Sequence, residues 1–492
     1  MPFRDEEDRP KEECGILGVY APEQDAARVA FFGLFALQHR GQESTGIAVS
    51  DGSCVRMHKD MGLVANVFNE QILNTLPGHL AVGHNRYSTM GASVLRNAQP
   101  VYCQSLVGEI AVAHNGNLIN ARELRGELQD EGEQLDTTSD SELIARILVR
   151  HLQDGPEAAV REVMRRAKGA YSCTVLTPKA VIGFRDPLGI RPLTVGRMGE
   201  TGYFMASESC AFGPVGATPD HELKPGEMAI IDASGLRLVQ GAEAPRRAMC
   251  LFEFIYFARP DSRMYGELLY AVRERMGQQL AREHPADADI VVPVPDSGIP
   301  AALGFSEVSG LPYREGMIKS RYIHRTFISP DQRLRELGVK MKLTPLEEHI
   351  RGQRLVLVDD SIVRGTTTKK IVGLLFEAGA KEVHVRITAP PIRFPCFYGI
   401  DMASKGELAA AVMSLDELSN HVGATSLGFL SIEGAVAAAG QSKNDFCLAC
   451  FNGDYPLAIP PDMSKHAFDE PPGMGQMAAV THGQPRLLEP VE

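Results

Sequence analysis

Long apolar runs are missing from this chain: none of its 492 residues belongs to an uninterrupted stretch approaching the roughly 18 residues that a membrane span needs. Net positive charge is missing as well. Fifty Lys+Arg stand against 62 Asp+Glu, a formal balance of -12, so no global basic field draws the protein to nucleic acid or to an anionic membrane. The expected partners are small molecules or other protein chains. The opening segment MPFRDEEDRPKEE has no apolar stretch and cannot serve as a secretory signal, which points to the cytoplasm. Cysteine is sparse. Nine residues are too few for a disulfide scaffold, and an odd number in a cytoplasmic chain suits ligation, catalysis or plain burial. No internal repeat is present. What remains, 44% hydrophobic and 23% charged residues, is the composition of a soluble globular protein with room for two or three domains.

Two halves follow different patterns. From Cys14 to about Arg247, short β-like runs recur between Gly, Asn and Asp turns: Ile16 to Tyr20, Gly46 to Ser50, Leu80 to Gly83, Glu109 to His114, Tyr171 to Leu176, Val181 to Phe184, Tyr203 to Ala206 and Met228 to Ile231. A helix is expected over Asp140 to Leu152, with Ser139 as N-cap and Glu142 completing a capping box. Stacked antiparallel sheets with helices outside are expected. From about Gly266 the order becomes strand then helix: Asp289 to Val294 and Pro300 to Val308, Arg354 to Asp359 and Thr366 to Ala378, then Glu382 to Thr388. Apolar residues on consecutive positions mark strands covered on both faces, hence a parallel α/β domain. Residues 460–492 lack periodicity and read as a loosely ordered tail.

Cys14 follows the charged leader and opens the apolar run CGILGVY. A thiol attacks as thiolate, and a free α-amino group on the same residue supplies a general base if the chain is cut just before it. A buried strand cysteine is the plainer reading of one such residue. Three further segments favour the nucleophile. Arg86, in HNRYST, is suited to a bidentate grip on a carboxylate. In AHNGN, read as a tight turn after a strand, the Asn115 amide and Gly116 N–H suit a developing oxyanion. Asp140 suits an ammonium. With Leu37 to Gln42 (LQHRGQ), these motifs resemble the glutaminase domain of the N-terminal-nucleophile, class II glutamine amidotransferases. The resemblance implies that residues 1–13 are a propeptide and that 14–247 form an αββα sandwich. It further implies that Cys14 attacks the glutamine side-chain amide, Asn115 and Gly116 form the oxyanion hole, and Arg86 and Asp140 hold the amino-acid end. His39, His84 and His114 are assigned to structure, because in that family the α-amino group is the base.

RLVLVDDSIVRGTT, from Arg354 to Thr367, reads as a buried strand ending in two carboxylates, then a Gly/Thr turn and a helix. Such a strand edge and helix N-terminus form an anion cradle. Asp359 and Asp360 suit ribose hydroxyls or a divalent metal, and Arg364, Gly365, Thr366 and Thr367 suit a phosphate. The pattern resembles the phosphoribosyl pyrophosphate signature of the type I phosphoribosyltransferases. Asp296, Ser297 and Gly298 resemble the pyrophosphate loop of that family. Lys319 to Lys342, with seven Lys/Arg against two acids and including Arg325, resembles its closing loop. Ser297, Asp359 and Asp360 are placed nearest a Mg2+ ion.

Cys250, Cys396, Cys447 and Cys450 are flanked by aromatic and apolar residues, which suits an iron-sulfur cluster. Zinc or unligated burial remains open from these residues alone. The two halves together, residues 14–247 and 248–459, resemble the glutamine-dependent phosphoribosyltransferase family that commits phosphoribosyl pyrophosphate to purine synthesis, in its iron-sulfur, propeptide-bearing subclass. That resemblance implies glutamine and phosphoribosyl pyrophosphate as substrates, with phosphoribosylamine, glutamate and pyrophosphate as products. It also implies one Mg2+ and one [4Fe-4S] cluster per subunit, purine nucleotides as inhibitors and a homotetramer. A sibling amidotransferase acting on another acceptor shares only the first half. An RNA-binding regulator on the same fold would want a basic face, which this chain lacks.

Overall fold

The computed structural model describes residues 13–87, 93–106, 108–320, 343–400 and 405–460. The leader up to residue 12, the tail from 461, and Arg325 with most of its basic loop lie outside the described residues.

The first half folds as two antiparallel sheets. The seven-stranded sheet places Gly15–Tyr20 between Gly202–Ala206 and Leu80–Arg86, with Ser44–Ser50 next on that side. In the six-stranded sheet Gly169–Leu176 lies between Val181–Arg185 and Gly108–Leu118. Both sheets read apolar on the face they share: Ile16, Ala48 and Val82 from one meet Ala111, Val181 and Ala229 from the other. The approach is close, since a Cβ on Gly18 would sit 2.7 Å from Val181. On the outer faces, helix Ala26–Ala36 packs against the first sheet, and helices Asp140–His151 and Pro156–Arg166 pack against the second. The expected helix-sheet-sheet-helix layering is therefore present.

The second half holds a parallel four-stranded sheet in the order Ile290–Pro293, Arg354–Asp359, Glu382–Ile387, Ser426–Phe429. Its apolar runs are buried on consecutive residues, as the sequence implies. Helices Leu269–Glu283, Ile299–Ser309 and Thr366–Glu377 contribute to the same core. That core reaches back to Ile119, Leu188 and Ile190 of the first half, so apolar packing joins the two.

Three local expectations are corrected. Asn115 and Gly116 do not lie in a turn after a strand; Gly108–Leu118 continues through them, with Asn115 opposite Ser172 and Gly116 opposite Tyr171. Likewise the strand expected over Leu80 to Gly83 continues through His84 to Arg86. The capping box is not formed either. Ser139 accepts from Ser141 N, while the Glu142 carboxylate is taken by the backbone N–H groups of Asp136 and Thr137.

Candidate functional site

Cys14 is buried at the mouth of the first strand. Its Sγ donates to the Tyr87 carbonyl at 3.3 Å and lies 3.4 Å from the Tyr87 N–H. Burial pushes the thiol up to about 11, with Arg86 among the groups that pull it back. Arg86, last residue of the neighbouring strand, is buried and has Glu43 at 3.7 Å. The sheet register that sets Gly15 opposite Asn85 brings these groups together.

Asn115 and Gly116 come from the facing sheet. Asn115 Nδ2 is buried with no hydrogen-bond acceptor among the described residues. Gly116 has φ 145°, and a Cβ there would lie 2.0 Å from the Ala170 carbonyl oxygen, so only glycine fits. Asp140 opens its helix in a buried position, where one carboxylate oxygen accepts from Leu118 N at 2.9 Å and the other is 3.7 Å from His114 Nδ1. Burial holds His84 down to about 3 and lowers His114 as well. Both imidazoles are therefore neutral at physiological pH, in keeping with structural roles.

Sequence reasoning missed an ionic cluster beneath Cys14. Arg40, from the LQHRGQ motif, pairs with Glu13 at 2.8 Å, Glu208 at 2.6 Å and Glu253 at 2.8 Å, all buried. Burial opposes its charge, but Glu253 and Glu208 outweigh it and raise the Arg40 value. The partners come from distant segments, so no local spacing announces them. Among the described residues, His39, Glu208 and Cys210 form the one group of at least three metal-type ligand atoms within 4.8 Å of each other. Glu208 is already claimed there by His39, Arg40, Ser262 and the Arg259 N–H, which makes the group an ion-pair hub.

The second set of residues gathers at the C-terminal edge of the parallel sheet. Asp359 and Asp360 are buried at the end of Arg354–Asp359. Ser361 donates to Asp360 Oδ1 at 2.6 Å, while Asp360 Oδ2 has no donor among the described residues. Ser297 Oγ is also buried without a partner among the described residues. Gly298 permits a close approach to the strand Arg354–Asp359, since a Cβ there would lie 2.4 Å from the Val358 carbonyl oxygen. Lys319 reaches Asp296 at 2.8 Å. Gly365, at φ 80°, starts helix Thr366–Glu377 and leaves its first N–H groups facing the loop. Arg364 has Glu407 at 3.8 Å. Arg273 is buried nearby, where burial lowers it to about 10 and Asp360 acts in the opposite direction. Orphaned carboxylate and hydroxyl oxygens beside a helix N-terminus fit a hard cation and a phosphate.

Cys250 and Cys447 are register partners in a short parallel strand pair. None of the four expected cluster cysteines is tied up in a disulfide. Burial raises Cys250, Cys447 and Cys450, with the thiols acting on one another as a further cause; Cys447 reaches about 12.

A cavity of about 300 Å³ is lined by Glu13, Arg40, Tyr256, Arg273, Asp296 and Ser297 among others. No helix among the described residues is long and apolar enough to cross a membrane.

Comparison with known proteins gives concordant matches. Residues 84–213 match the family described as Glutamine amidotransferase domain, and residues 265–390 match Phosphoribosyl transferase domain. The amidophosphoribosyltransferase of Synechococcus elongatus is 52% identical over 463 residues, 93% of this chain and 94% of that protein. The protein of the same name from Archaeoglobus fulgidus is 49% identical over 91% of this chain and 98% of its own. Among solved structures, the glutamine phosphoribosylpyrophosphate amidotransferase of B. subtilis, complexed with ADP and GMP, superposes with a TM-score of 0.85. It is 44% identical and covers 92% of this chain and 99% of its own.

Proposed function

The chain belongs to the amidophosphoribosyltransferases, the glycosyltransferases of the first step of purine biosynthesis, and from that membership we propose how its own residues divide the reaction. Cys14, freed of residues 1–13, is the nucleophile that takes the γ-glutamyl group of glutamine, its α-amino group accepting the thiol proton and returning it to the leaving ammonia. Asn115 Nδ2 and the Gly116 N–H stabilise the oxyanion, and Arg86 and Asp140 bind the amino-acid carboxylate and ammonium. Domain limits at 14–247 and 248–459 accord with the change from antiparallel to parallel sheets.

At the second site Asp359 and Asp360 face the ribose, Arg364 to Thr367 bind its 5-phosphate, and Asp296, Ser297, Gly298 and Arg325 bind pyrophosphate. Ser297, Asp359 and Asp360 would hold Mg2+, which when bound neutralises charge on the departing pyrophosphate. Cys250, Cys396, Cys447 and Cys450 would hold one [4Fe-4S] cluster in a structural role. The observation that carries this reading is a pair of buried polar sets with vacant bonding capacity among the described residues, Asn115 in one half and Ser297 with Asp360 in the other. Purine nucleotides are the proposed inhibitors, a homotetramer the proposed assembly, and the cytoplasm, where thiols stay reduced, the proposed location. Product analysis of the mature chain tests the reading: glutamate and pyrophosphate should appear in equal amounts when both substrates are present. Glutamate without pyrophosphate would overturn it.

A further inference from the structure

Glu13 immediately precedes Cys14, and it is buried. Its carboxylate lies between two buried guanidiniums, with one oxygen accepting from Arg40 at 2.8 Å and the other from Arg191. Arg40 also donates through Nε to the Cys14 carbonyl at 3.1 Å. One planar guanidinium thus holds residues on both sides of the Glu13–Cys14 peptide. Arg191 is fixed in turn by the Tyr398 carbonyl, which accepts from its Nε at 3.0 Å and from its Nη2. Burying a carboxylate is costly unless charge and hydrogen bonds compensate it. A leader that is merely discarded needs no such binding site.

We propose that Arg40 and Arg191 form a receptor for the Glu13 side chain that positions the Glu13–Cys14 peptide for cleavage by the Cys14 thiol. The proposal rests on the reading of Cys14 as the mature N-terminus. The chemistry consumes only water. Cys14 Sγ adds to the Glu13 carbonyl carbon as the C–N bond breaks, and the thiol proton passes to the nitrogen. Water then displaces the sulfur, so that Glu13 departs with an α-carboxyl and Cys14 keeps its thiol and gains a free α-amino group. Charge explains why the product leaves. Before cleavage, Glu13, Glu208 and Glu253 share Arg40 and Arg191. Cleavage leaves an α-carboxylate on Glu13 and an α-ammonium on Cys14, and it cuts the covalent tie that keeps the Glu13 side chain beside Glu208 and Glu253, where like charges repel. Once the leader has gone, Glu208 and Glu253 alone balance the two arginines.

Because Glu13 is discarded, every matured variant has the same chain from Cys14 onward, which separates effects on maturation from effects on catalysis. The full chain is expressed as a pulse and its intact mass followed with time. Glu13→Gln keeps the shape without the charge, and Glu13→Ala removes both. Each should mature at least tenfold more slowly than wild type, with Glu13→Asp in between, while the matured fraction shows wild-type specific activity. Folding is checked on uncleavable chains: Cys14→Ala and the double variant Glu13→Gln/Cys14→Ala should melt within a few degrees of each other. Wild-type maturation rates in Glu13→Gln and Glu13→Ala would overturn the proposal, as would a collapse of melting temperature in the double variant. Fully active wild-type enzyme retaining residues 1–13 would overturn the reading of Cys14 itself, and the proposal with it.

Discussion

Replacing Asp360 with asparagine should separate the two activities of the chain. Asparagine is isosteric, so its Oδ1 still accepts from the Ser361 hydroxyl, which lies 2.6 Å from Asp360 Oδ1. The other position exchanges an oxygen without a donor for an amide without an acceptor, and buried Arg273 loses one nearby compensating charge. Each change is a partial one, and together they should cost no more than about 2 kcal/mol of stability. The ligand sees a different loss. A hydrogen bond to a charged group is worth about 1.5–3 kcal/mol, so pyrophosphate release should fall by roughly 10- to 150-fold at about 1.4 kcal/mol per tenfold. Glutamine hydrolysis in the absence of the second substrate should stay within about twofold of wild type, because Cys14 and Asn115 lie in the other half. The assay follows pyrophosphate and glutamate separately, with thermal melting as the folding control. Wild-type pyrophosphate release by Asp360→Asn would refute the placement of the ribose and metal site. Equal loss of both activities would refute the separability of the two chemistries.

Gly116→Ala should be poorly tolerated, because the new Cβ would lie 2.0 Å from the Ala170 carbonyl oxygen at φ 145°; a stability loss on the order of 3 kcal/mol or more is expected in thermal melts. Burial holds His84 down to about 3, so the unfolded chain takes up that proton first and stability falls as pH drops from 6.5, by about 1.4 kcal/mol per unit from this residue. Urea midpoints at pH 7 and pH 5.5 should therefore converge in His84→Gln relative to wild type. Protein purified without oxygen should carry about four irons per chain; stoichiometric zinc with no visible absorbance would favour the tetrahedral alternative.

Strands buried on both faces were legible because their apolar residues are consecutive, as in Leu355 to Val358. The loops that follow them were legible because Gly, Asp and Thr mark a turn at a strand end. Ser426–Phe429 escaped notice, since four residues with a central glycine carry little strand signal. Asn115 and Gly116 read as a turn because their dipeptide favours one, yet pairing with Ser172 and Tyr171 overrides that preference. Arg191, Glu208 and Glu253 were invisible for a different reason. Each meets Arg40 or Glu13 only through tertiary contact across more than 160 residues of chain, and a charged residue destined for a buried pair looks like any surface residue in the sequence.

The central claim is that one chain makes ammonia at Cys14 and spends it at the acidic pair. It is tested most directly by Cys14→Ser supplied with phosphoribosyl pyrophosphate and Mg2+, and with either glutamine or a high concentration of ammonium at alkaline pH. Pyrophosphate should be released with ammonium at a rate near that of the wild type under the same conditions, and not with glutamine. Glutamine-dependent release by Cys14→Ser, or its failure with ammonium while the chain remains folded, would contradict the account.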